Sequence, residues 1–528
     1  MNAPDPATLA GIMGLMCEAI ALRGAGQPGA ALAALDQALL LDAGFLPVHM
    51  QRAALLLERA DLAGAAAAYE ACLDLVPDYD EARVAHRAVL LQWIDALEAR
   101  RVQQDLSRTD RLVLLARLHY RLDQPQQALA AIEAACPLPR LDQQTLYADI
   151  LLRLNRHEQA LDCYSPDAEE GETRALIAFN RADILRRMGR IEAALAGYEE
   201  ALRCYPDFPQ AQVGRAHMLL TRGDYVQGWR AHEVRFQIPE LARRAIVSPS
   251  ARWQPGEALG GKHVLLWSEQ GQGDCLQFVR YLPLVAQQAD RVTLCAPAGL
   301  LAVVARSFPQ VRCVAHVDEV GAHDCHASLL SLPLLLERPH PRQAPSPPYL
   351  LADPARLQDW QRRLCEGAGA ASPVRLPRIG LAWAGRQYAT PHPSRDVPLA
   401  DLLPLFDLPV EVVSLQREIP LTDQALHQTL AARLTTLPLA DWGDTAALAC
   451  ALDLIISVDT AVVHLAGALG LPCFLPQRLE GEWRWGREGE QSVWYPSVKL
   501  FRQQERGQWG SVVDEIIAAC RARFAEWA

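Results

Sequence analysis

A block of about 34 residues recurs along the first half of the chain and constrains the fold more than any single motif. Each copy starts at a small or turn-forming residue and continues into a stretch with helical spacing, as in "GRIEAALAGYEEALRCYPDF", residues 189–208. The copies start at Gly26, Ala60, Asp123, Asn155, Gly189 and Gly223. Successive starts are 34, 63, 32, 34 and 34 residues apart, so the long step predicts a degenerate unit near Ile94.

This period is that of tetratricopeptide repeats, which are pairs of antiparallel helices. The blocks resemble that family in their residues as well as their length. A tyrosine stands at the same place in three units, as Tyr69, Tyr164 and Tyr198. The resemblance predicts an α-solenoid over residues 1–244, with a concave face suited to a peptide or protein segment.

The pattern changes after residue 244. "HVLLW", residues 263–267, is a continuous apolar run typical of a buried parallel strand. Strand-like runs and helix-like stretches then alternate, and a proline-rich linker at 339–354 separates two sets of them. We therefore expect two Rossmann-like, doubly wound α/β halves, 245–350 and 351–528, with a cleft at the carboxyl ends of their strands.

Composition excludes several classes of function. The 62 acidic residues outnumber the 51 basic ones, which argues against nucleic acid or an anionic membrane as the main partner. The thirteen cysteines contain no Cys-x-x-Cys pair, which favours reduced thiols in a cytoplasmic protein. We expect no membrane span, because no uninterrupted apolar run is long enough. We also expect no cofactor and no metal, because the loops at the strand ends carry no acidic metal-binding motif. The Asp-x-Asp at 78–80 lies in a turn between repeats.

The first candidate site follows the strand "HVLLW". The loop after it carries Gly271 and Gly273, and Asp274 is predicted to open a helix. Leu276 stands where a nicotinamide-binding fingerprint needs its third glycine, so a dinucleotide site is not indicated. Asp274 is either a helix cap or a general base at the mouth of the cleft, which would contribute about 10² to 10⁴ in rate.

The second candidate site is "ISVDTAVVHLAGALGLP", residues 456–472. A helix predicted to begin at Asp459 would leave backbone N–H groups of Thr460, Ala461 and Val462 free to bind an anion. His464, one turn further on, would either donate to a leaving phosphate or be an ordinary core histidine.

Two further strand ends carry polar residues. The loop after "GLAWAG" carries Arg386 and Arg395, each of which is either a cation facing a diphosphate or a solvated side chain. Gln416 ends a later strand, where it is placed to bind a ribose or a base edge.

These motifs together resemble the heptosyltransferase-like superfamily of GT-B glycosyltransferases, family 9. The Gly273–Asp274 pair and the "SVDTAVVHLAGALGLP" block carry the resemblance. It implies that Asp274 is the catalytic base and that Gly273 helps to bind the donor. It further implies donor contacts from Asp459, Thr460, Ala461 and His464. The loop lysine of those enzymes is absent here, and Arg386 or Arg395 is the candidate replacement.

Repeats fused to such a module resemble bacterial repeat-plus-transferase proteins, some of them implicated in flagellin glycosylation. The resemblance implies an inverting, metal-independent transfer from a nucleotide-sugar to a hydroxyl of an acceptor protein held by the repeats. One alternative is a non-catalytic scaffold with a degenerate nucleotide-sugar module. Another is an enzyme that acts on a lipopolysaccharide-type glycan, which would leave the repeats without a role.

Overall fold

The computed structural model describes residues 5–76, 79–99, 106–164, 171–242, 245–367, 375–385 and 395–525. The chain divides into two compact units, one that ends at Cys163 and one that begins at Tyr164. The predicted boundary at residue 244 lies outside the described residues.

The described helices of the first unit form pairs, with one additional helix between the second and third pairs. Its helices are α1 (Pro6–Gly24), α2 (Pro28–Leu41), α3 (Leu46–Glu58), α4 (Leu62–Leu75), α5 (Asp80–Glu98), α6 (Arg108–Arg121), α7 (Pro125–Ala135), α8 (Leu141–Arg153) and α9 (His157–Asp162). Ile94 lies inside α5, an additional helix of 19 residues between α4 and the pair formed by α6 and α7. This additional helix and the segment after it account for the long step between block starts.

The six block starts predicted from the sequence all coincide with turns between the two helices of a pair. Every one of them has a positive φ, from 57° at Asp123 to 90° at Gly223. A left-handed residue reverses the chain after a helix, and glycine adopts that conformation without steric cost. The repeat period in the sequence is therefore the spacing of these left-handed turns.

The second unit starts with two more helix pairs. They are α10 (Gly171–Arg187), α11 (Ile191–Cys204), α12 (Pro209–Arg222) and α13 (Tyr225–His232), followed by the short α14 (Pro239–Ala242). Tyr198 of α11 is fully buried against Gly214 of α12, where an added Cβ would lie 2.5 Å from the tyrosine ring. Gly214 in the next helix thus leaves room for the Tyr198 ring.

The next part of the second unit is a parallel five-stranded sheet in the order β1-β5-β2-β3-β4. Its strands are β1 (Ala251–Arg252), β2 (His263–Trp267), β3 (Arg291–Cys295), β4 (Arg312–Val314) and β5 (Cys325–Ser328). Its helices are α15 (Gln272–Phe278), α16 (Leu282–Ala286), α17 (Ala298–Ser307) and α18 (Leu332–Leu335). The strand order reverses between β2 and β5, and ligands of such sheets bind at that switch point.

A parallel six-stranded sheet follows, in the order β11-β10-β9-β6-β7-β8. Its strands are β6 (Arg378–Ala382), β7 (Glu411–Ser414), β8 (Leu434–Thr435), β9 (Leu454–Ser457), β10 (Cys473–Gln477) and β11 (Val498–Arg502). Its helices are α19 (Pro354–Gly367), α20 (Gln424–Thr429), α21 (Trp442–Cys450), α22 (Ala461–Ala468) and α23 (Gly510–Arg523). The two doubly wound halves confirm the predicted fold class.

The last repeat shares one hydrophobic core with the two sheets. Trp229 of α13 is 1% exposed and packs edge-on against Phe278 and Trp483, with ring centroids 5.7 and 5.2 Å away. Its indole N–H donates to the carbonyl of Pro339, 2.9 Å away. The repeats of the second unit are therefore built into the α/β module.

One described helix, α1, has the length and apolar composition of a membrane span, whereas the sequence patterning predicts none. Its Ile12, Met16 and Ala19 are buried in a cluster with residues of α2 and α3. One face of α1 thus packs within the first repeat, whereas Leu9, Met13 and Ile20 on the same helix are exposed.

We expect Trp229→Ala to destabilise the α/β module by about 3–5 kcal/mol, because it removes a fully buried ring from the shared core. Hydrogen exchange should speed up in the β2 peptide as well as in α13. The control is Trp93→Ala, since Trp93 is partly buried in the core of the first unit. Faster exchange confined to α12 and α13 in Trp229→Ala would contradict a shared core.

Candidate active site

Helices α15 and α22 bring the two sequence motifs together. The closest approach is at Gly273, where an added Cβ would lie 2.8 Å from Cδ2 of His464 and 3.5 Å from Cα of Ala461. Glycine is needed here because any side chain would occupy the place of the histidine ring. The two motifs, almost 200 residues apart in sequence, therefore form one candidate site.

Asp274 lies in the first turn of α15. The helix begins at Gln272 with Gly271 as its N-cap, so Asp274 is the third helical residue and not the predicted first one. Its Oδ2 accepts a hydrogen bond from the Gly271 N–H at 2.8 Å, and its Oδ1 forms an ion pair with Arg484. Burial raises the pKa of Asp274, although the positive charge of Arg484 opposes the rise.

Arg484 is a site residue that the sequence reading missed. Its side chain is 10% exposed and lies over the ring of Trp483, with the guanidinium carbon 4.0 Å from the ring centroid. It bridges the two carboxylates of Asp274 and Glu482, and its Nε donates to Oε1 of Gln277 at 2.7 Å. An arginine between two tryptophans, as in "EWRWG", is the sequence signal that could have indicated a buried cation.

Carboxylates outnumber cations around Arg484. Burial raises the pKa of Glu482, and the negative charges of Asp459 and Asp274 raise it further against the effect of Arg484. The same three carboxylates raise the pKa of Arg484 and keep it charged despite its burial. The site therefore combines one permanent cation with two carboxyl groups, those of Asp274 and Glu482, whose pKa values are raised.

His464 is buried, at 5% exposure, and packs like a core residue. Its ring stacks on Trp485 at 5.2 Å, and its Nδ1 lies 3.0 Å from the hydroxyl of Tyr495. Its Nε2 lies 4.0 Å from a carboxylate oxygen of Asp459. Burial and the positive charges of Arg484 and Arg280 lower the pKa of His464, so the imidazole is neutral.

The helix start at Thr460 differs in detail from the prediction. Helix α22 begins at Ala461 with Thr460 as N-cap, and the Thr460 hydroxyl accepts from the Val462 N–H at 3.3 Å. The Val462 N–H is therefore not free for an anion as predicted. The N–H groups of Thr460 and Ala461 precede the first helical hydrogen bonds and remain the candidate anion donors.

Gln416 holds the end of β6. Its Oε1 accepts from the backbone N–H groups of Trp383 and Ala384, 3.0 and 3.1 Å away. Its Nε2 donates to the carbonyls of Ala384 and Glu418, each 2.9 Å away. The amide is thus fully engaged by the backbone, which makes Gln416 a residue that shapes the loop.

Of the two arginines predicted to face the diphosphate, Arg395 lies in the described part of the chain. The guanidinium of Arg395 packs against Gly385 at the carboxyl end of β6, and its Nε lies 3.9 Å from the carboxylate of Asp396. This places Arg395 at the same sheet edge as Thr460. Arg386 lies outside the described residues.

A second buried arginine connects the last repeat to the loop of Asp274. Arg235 follows α13 and binds the Glu269 carboxylate through two hydrogen bonds, Nε to Oε1 at 2.6 Å and Nη2 to Oε2 at 3.0 Å. It also donates to the Ser331 hydroxyl at 2.9 Å. Glu269 begins the loop that leads to Asp274, so the repeat end fixes this loop in place.

A small cavity of about 20 Å³ lies at the carboxyl ends of β2 and β5, lined by Glu233, Trp267, His326 and Ser328 among others. Asp274 and His464 do not line it. Within the described ranges, no three His, Cys, Asp or Glu side chains are grouped to hold a metal ion.

Comparison with known proteins identifies the repeats. The family model described as "Tetratricopeptide repeat" matches residues 175–208, which span most of α10, all of α11 and the turn between them. The segment 175–208 is therefore a tetratricopeptide repeat. This match confirms the repeats predicted from the 34-residue period.

Over most of its length the chain is similar to Protein FlbA of Caulobacter vibrioides, with 28% identity over 517 residues, 87% of this chain and 82% of FlbA. Among solved structures it is similar to the glycosyl transferase family 9 from Veillonella parvula, at 12% identity and a TM-score of 0.37, covering 52% of this chain and all of that one. It is also similar to ADP-heptose lps heptosyltransferase II of E. coli, at 14% identity and a TM-score of 0.33, covering 48% of this chain and 98% of that one.

We expect Gly273→Ala to lower the free energy of unfolding by about 1–3 kcal/mol, because its Cβ would push α15 away from α22. Gly260→Ala is the matched control in the same half, since a Cβ at Gly260 meets nothing within 4 Å. Urea unfolding of the two variants measures the difference. Equal free energies of unfolding in the two variants would show that α15 and α22 can move apart at Gly273 without loss of stability.

Proposed function

We propose that this protein is a glycosyltransferase that moves a sugar from a nucleotide-sugar to a hydroxyl of an acceptor protein. The observation that carries the proposal is the contact between Gly273 and His464. It supports one site that contains the Asp274 carboxylate and the start of α22. The repeats would bind the acceptor, and flagellin is one acceptor that the family resemblance suggests.

In this mechanism, Asp274 acts as general base. The acceptor oxygen attacks the anomeric carbon, its proton passes to the Asp274 carboxylate, and the bond from that carbon to the diphosphate oxygen breaks. The raised pKa of Asp274 suits this role, because a base with a pKa nearer the working pH takes up a proton more readily. The acceptor hydroxyl would have to replace Arg484 at one carboxylate oxygen.

The leaving diphosphate takes the electron pair and is met by fixed positive charge. The N–H groups of Thr460 and Ala461 provide the positive end of the α22 dipole, and Arg395 lies at the same sheet edge. Such preorganised donors stabilise charge without reorganisation, so the proposal needs no metal. A single displacement of this kind inverts the anomeric centre.

One observation favours the alternative of a non-catalytic scaffold. Both carboxylate oxygens of Asp274 are already engaged, one by the Gly271 N–H and one by Arg484. A carboxylate held in this way can be purely structural, as a helix-terminal group with an ion pair.

We expect Asp274→Asn to reduce turnover by about 10² or more while it leaves donor binding unchanged. Asp444→Asn is the matched control. Asp444 is also the third residue of its helix, α21, and it too accepts from a backbone N–H, that of Ala440, and pairs with Arg356. It lies outside the site and should keep full activity.

The measurement is calorimetry with a panel of nucleotide-sugars, followed by intact-mass analysis of acceptors produced together with each variant. Transfer at the wild-type rate by Asp274→Asn would exclude Asp274 as the base. Failure of the wild-type protein to bind any nucleotide-sugar would favour the scaffold.

We expect Arg484→Gln to move the acid limb of the pH–rate profile to higher pH. Burial raises the pKa of Asp274 and Arg484 opposes the rise, so loss of the cation raises it further. Asp274 then stays protonated, and inactive as a base, up to a higher pH. Arg484→Lys keeps the charge and should leave the limb closer to that of the wild type. If the acid limb of the pH–rate profile shifts in neither variant, the protonation of Asp274 does not control the rate.

A further inference from the structure

A chain of hydrogen bonds joins α15 to His464 and passes through two tyrosines that the proposed mechanism does not use. Tyr349 lies in the proline-rich linker between the two α/β halves, and Tyr495 lies in the loop that precedes β11. The Tyr349 hydroxyl donates to the carbonyl of Leu276 in α15 at 2.9 Å. It is also hydrogen-bonded to the Tyr495 hydroxyl, whose oxygen lies 3.0 Å from Nδ1 of His464.

The direction of every hydrogen bond in this chain is fixed at its α15 end. A backbone carbonyl can only accept, so the single proton of the Tyr349 hydroxyl is used by the carbonyl of Leu276. The Tyr349 oxygen must then accept the proton of Tyr495, and the Tyr495 oxygen must accept a proton from His464. A neutral imidazole carries one N–H, so the proton of His464 lies on Nδ1 and Nε2 has none.

Burial keeps each group of the chain in the protonation state that this order of bonds requires. Burial raises the pKa of Tyr495 well above its usual value, and the hydrogen bond to Tyr349 raises it further. Burial also raises the pKa of Tyr349, whereas the bond from Tyr495 lowers it, as expected for the accepting oxygen. Burial and the charges of Arg484 and Arg280 lower the pKa of His464. Both phenols are therefore protonated, and the imidazole is neutral.

Packing holds both tyrosines in place. The backbone N–H of Tyr349 donates to the carbonyl of Ala468 in α22, 2.9 Å away. The ring of Tyr495 is fully buried and lies against Gly467, where an added Cβ would collide with it. The guanidinium carbon of Arg280 lies over both rings, 4.8 Å from the centroid of Tyr349 and 5.6 Å from that of Tyr495. The two hydroxyls are thus held at fixed positions between α15 and α22.

The unprotonated nitrogen of His464 faces the candidate site. Its Nε2 lies 4.0 Å from a carboxylate oxygen of Asp459 and 3.5 Å from the position of a Cβ added to Gly273. This nitrogen makes no hydrogen bond to any residue in the described ranges, and it is not closed off from solvent. Two acceptors, Nε2 and the Asp459 carboxylate, therefore lie side by side with no proton between them.

A pair of acceptors of this kind selects a ligand group that brings protons. A phosphate oxygen has no proton to offer and would be repelled by both atoms. Two neighbouring hydroxyls of a sugar ring can donate one proton to Nε2 of His464 and one to Asp459. The direction of the bonds in the tyrosine chain thus decides which part of a nucleotide-sugar His464 can bind.

We propose that Tyr349 and Tyr495 are positioning residues that keep the proton of His464 on Nδ1 and so make Nε2 an acceptor for a sugar hydroxyl. The assignment of the hydroxyl to a sugar rests on the proposed function, whereas the place of the proton does not. The sequence suggested that His464 donates to a leaving phosphate, and in this proposal it accepts a proton from the sugar instead.

The first test is NMR of the full-length protein with ¹⁵N-labelled histidines, because protonated and unprotonated ring nitrogens resonate at well-separated frequencies. The signals of His464 are identified by their loss in His464→Gln. We expect the wild type to carry the proton on Nδ1. In Tyr349→Phe the Tyr495 hydroxyl loses its acceptor and is free to donate to Nδ1. The proton of His464 then moves to Nε2, where it faces Asp459.

Tyr281→Phe is the matched control for Tyr349→Phe. Tyr281 is also a buried tyrosine of the same core, and its hydroxyl donates to the carbonyl of Arg338 at 3.3 Å, outside the chain. It should leave the proton of His464 on Nδ1. A wild-type protein with the proton on Nε2, or the same tautomer in the wild type and Tyr349→Phe, would overturn the proposal.

Thermal unfolding must show that Tyr349→Phe folds, since this variant also loses the bond to Leu276. Tyr495→Phe keeps the test valid if Tyr349→Phe does not fold. It removes the acceptor of the Nδ1 proton, so the proton of His464 should again move to Nε2. A proton that stays on Nδ1 in Tyr495→Phe would overturn the proposal as well.

The second test is calorimetry with a panel of nucleotide-sugars and the matching nucleoside diphosphates. We expect Tyr349→Phe to bind the nucleotide-sugar about 3- to 10-fold more weakly, because one sugar hydroxyl loses its acceptor. It should bind the nucleoside diphosphate like the wild type. Equal affinities of Tyr349→Phe and the wild type for the nucleotide-sugar would overturn the assignment of Nε2 to a sugar hydroxyl.

The two tests separate this proposal from the proposed function. A wild-type protein that binds no nucleotide-sugar would refute the proposed function, and the sugar assignment with it. The tautomer of His464 in the wild type and in Tyr349→Phe would still support or overturn the positioning role of the two tyrosines.

Discussion

The close approach of α15 and α22 at Gly273 is the constraint on which the candidate site depends. Because glycine has no Cβ, the His464 ring can pack directly on the backbone of the other helix. That contact joins the two α/β halves where the first sheet reverses its strand order and the second sheet presents its strand ends. A larger residue at 273 would separate the carboxylate of Asp274 from the N-terminus of α22.

Two buried arginines then fix the loop that leads into α15. Arg235 binds Glu269 near the start of the loop, and Arg484 binds Asp274 at its end. Buried ion pairs of this kind contribute little net stability, but the loss of one partner costs about 3–5 kcal/mol because the other charge remains buried. Their role is thus to define one conformation of the loop. Since Arg235 follows the last repeat, that conformation depends on the repeats being docked on the sheets.

Local patterns predicted much of the architecture. The six block starts coincide with left-handed turns because a helix pair of fixed length needs its reversal at a fixed spacing. The continuous apolar runs became central parallel strands, since only strands covered on both faces tolerate such sequences. Predictions failed in detail at helix starts. Asp274 is the third residue of its helix, and Val462 is capped by Thr460. The start of a helix can shift by a residue or two, because several neighbouring positions suit a cap almost equally well.

By itself, the sequence determined the repeats, the two α/β halves and the identity of both strand-end motifs, because each follows from local periodicity and turn chemistry. Tertiary structure alone decided which distant residues share the site. Arg484 reaches Asp274 across 210 positions of sequence, and Arg235 reaches Glu269 from the end of a repeat. Nothing local marks such pairs. A buried charge is stabilised by a partner on another helix, strand or loop, and only the packing of those elements brings the partner into reach.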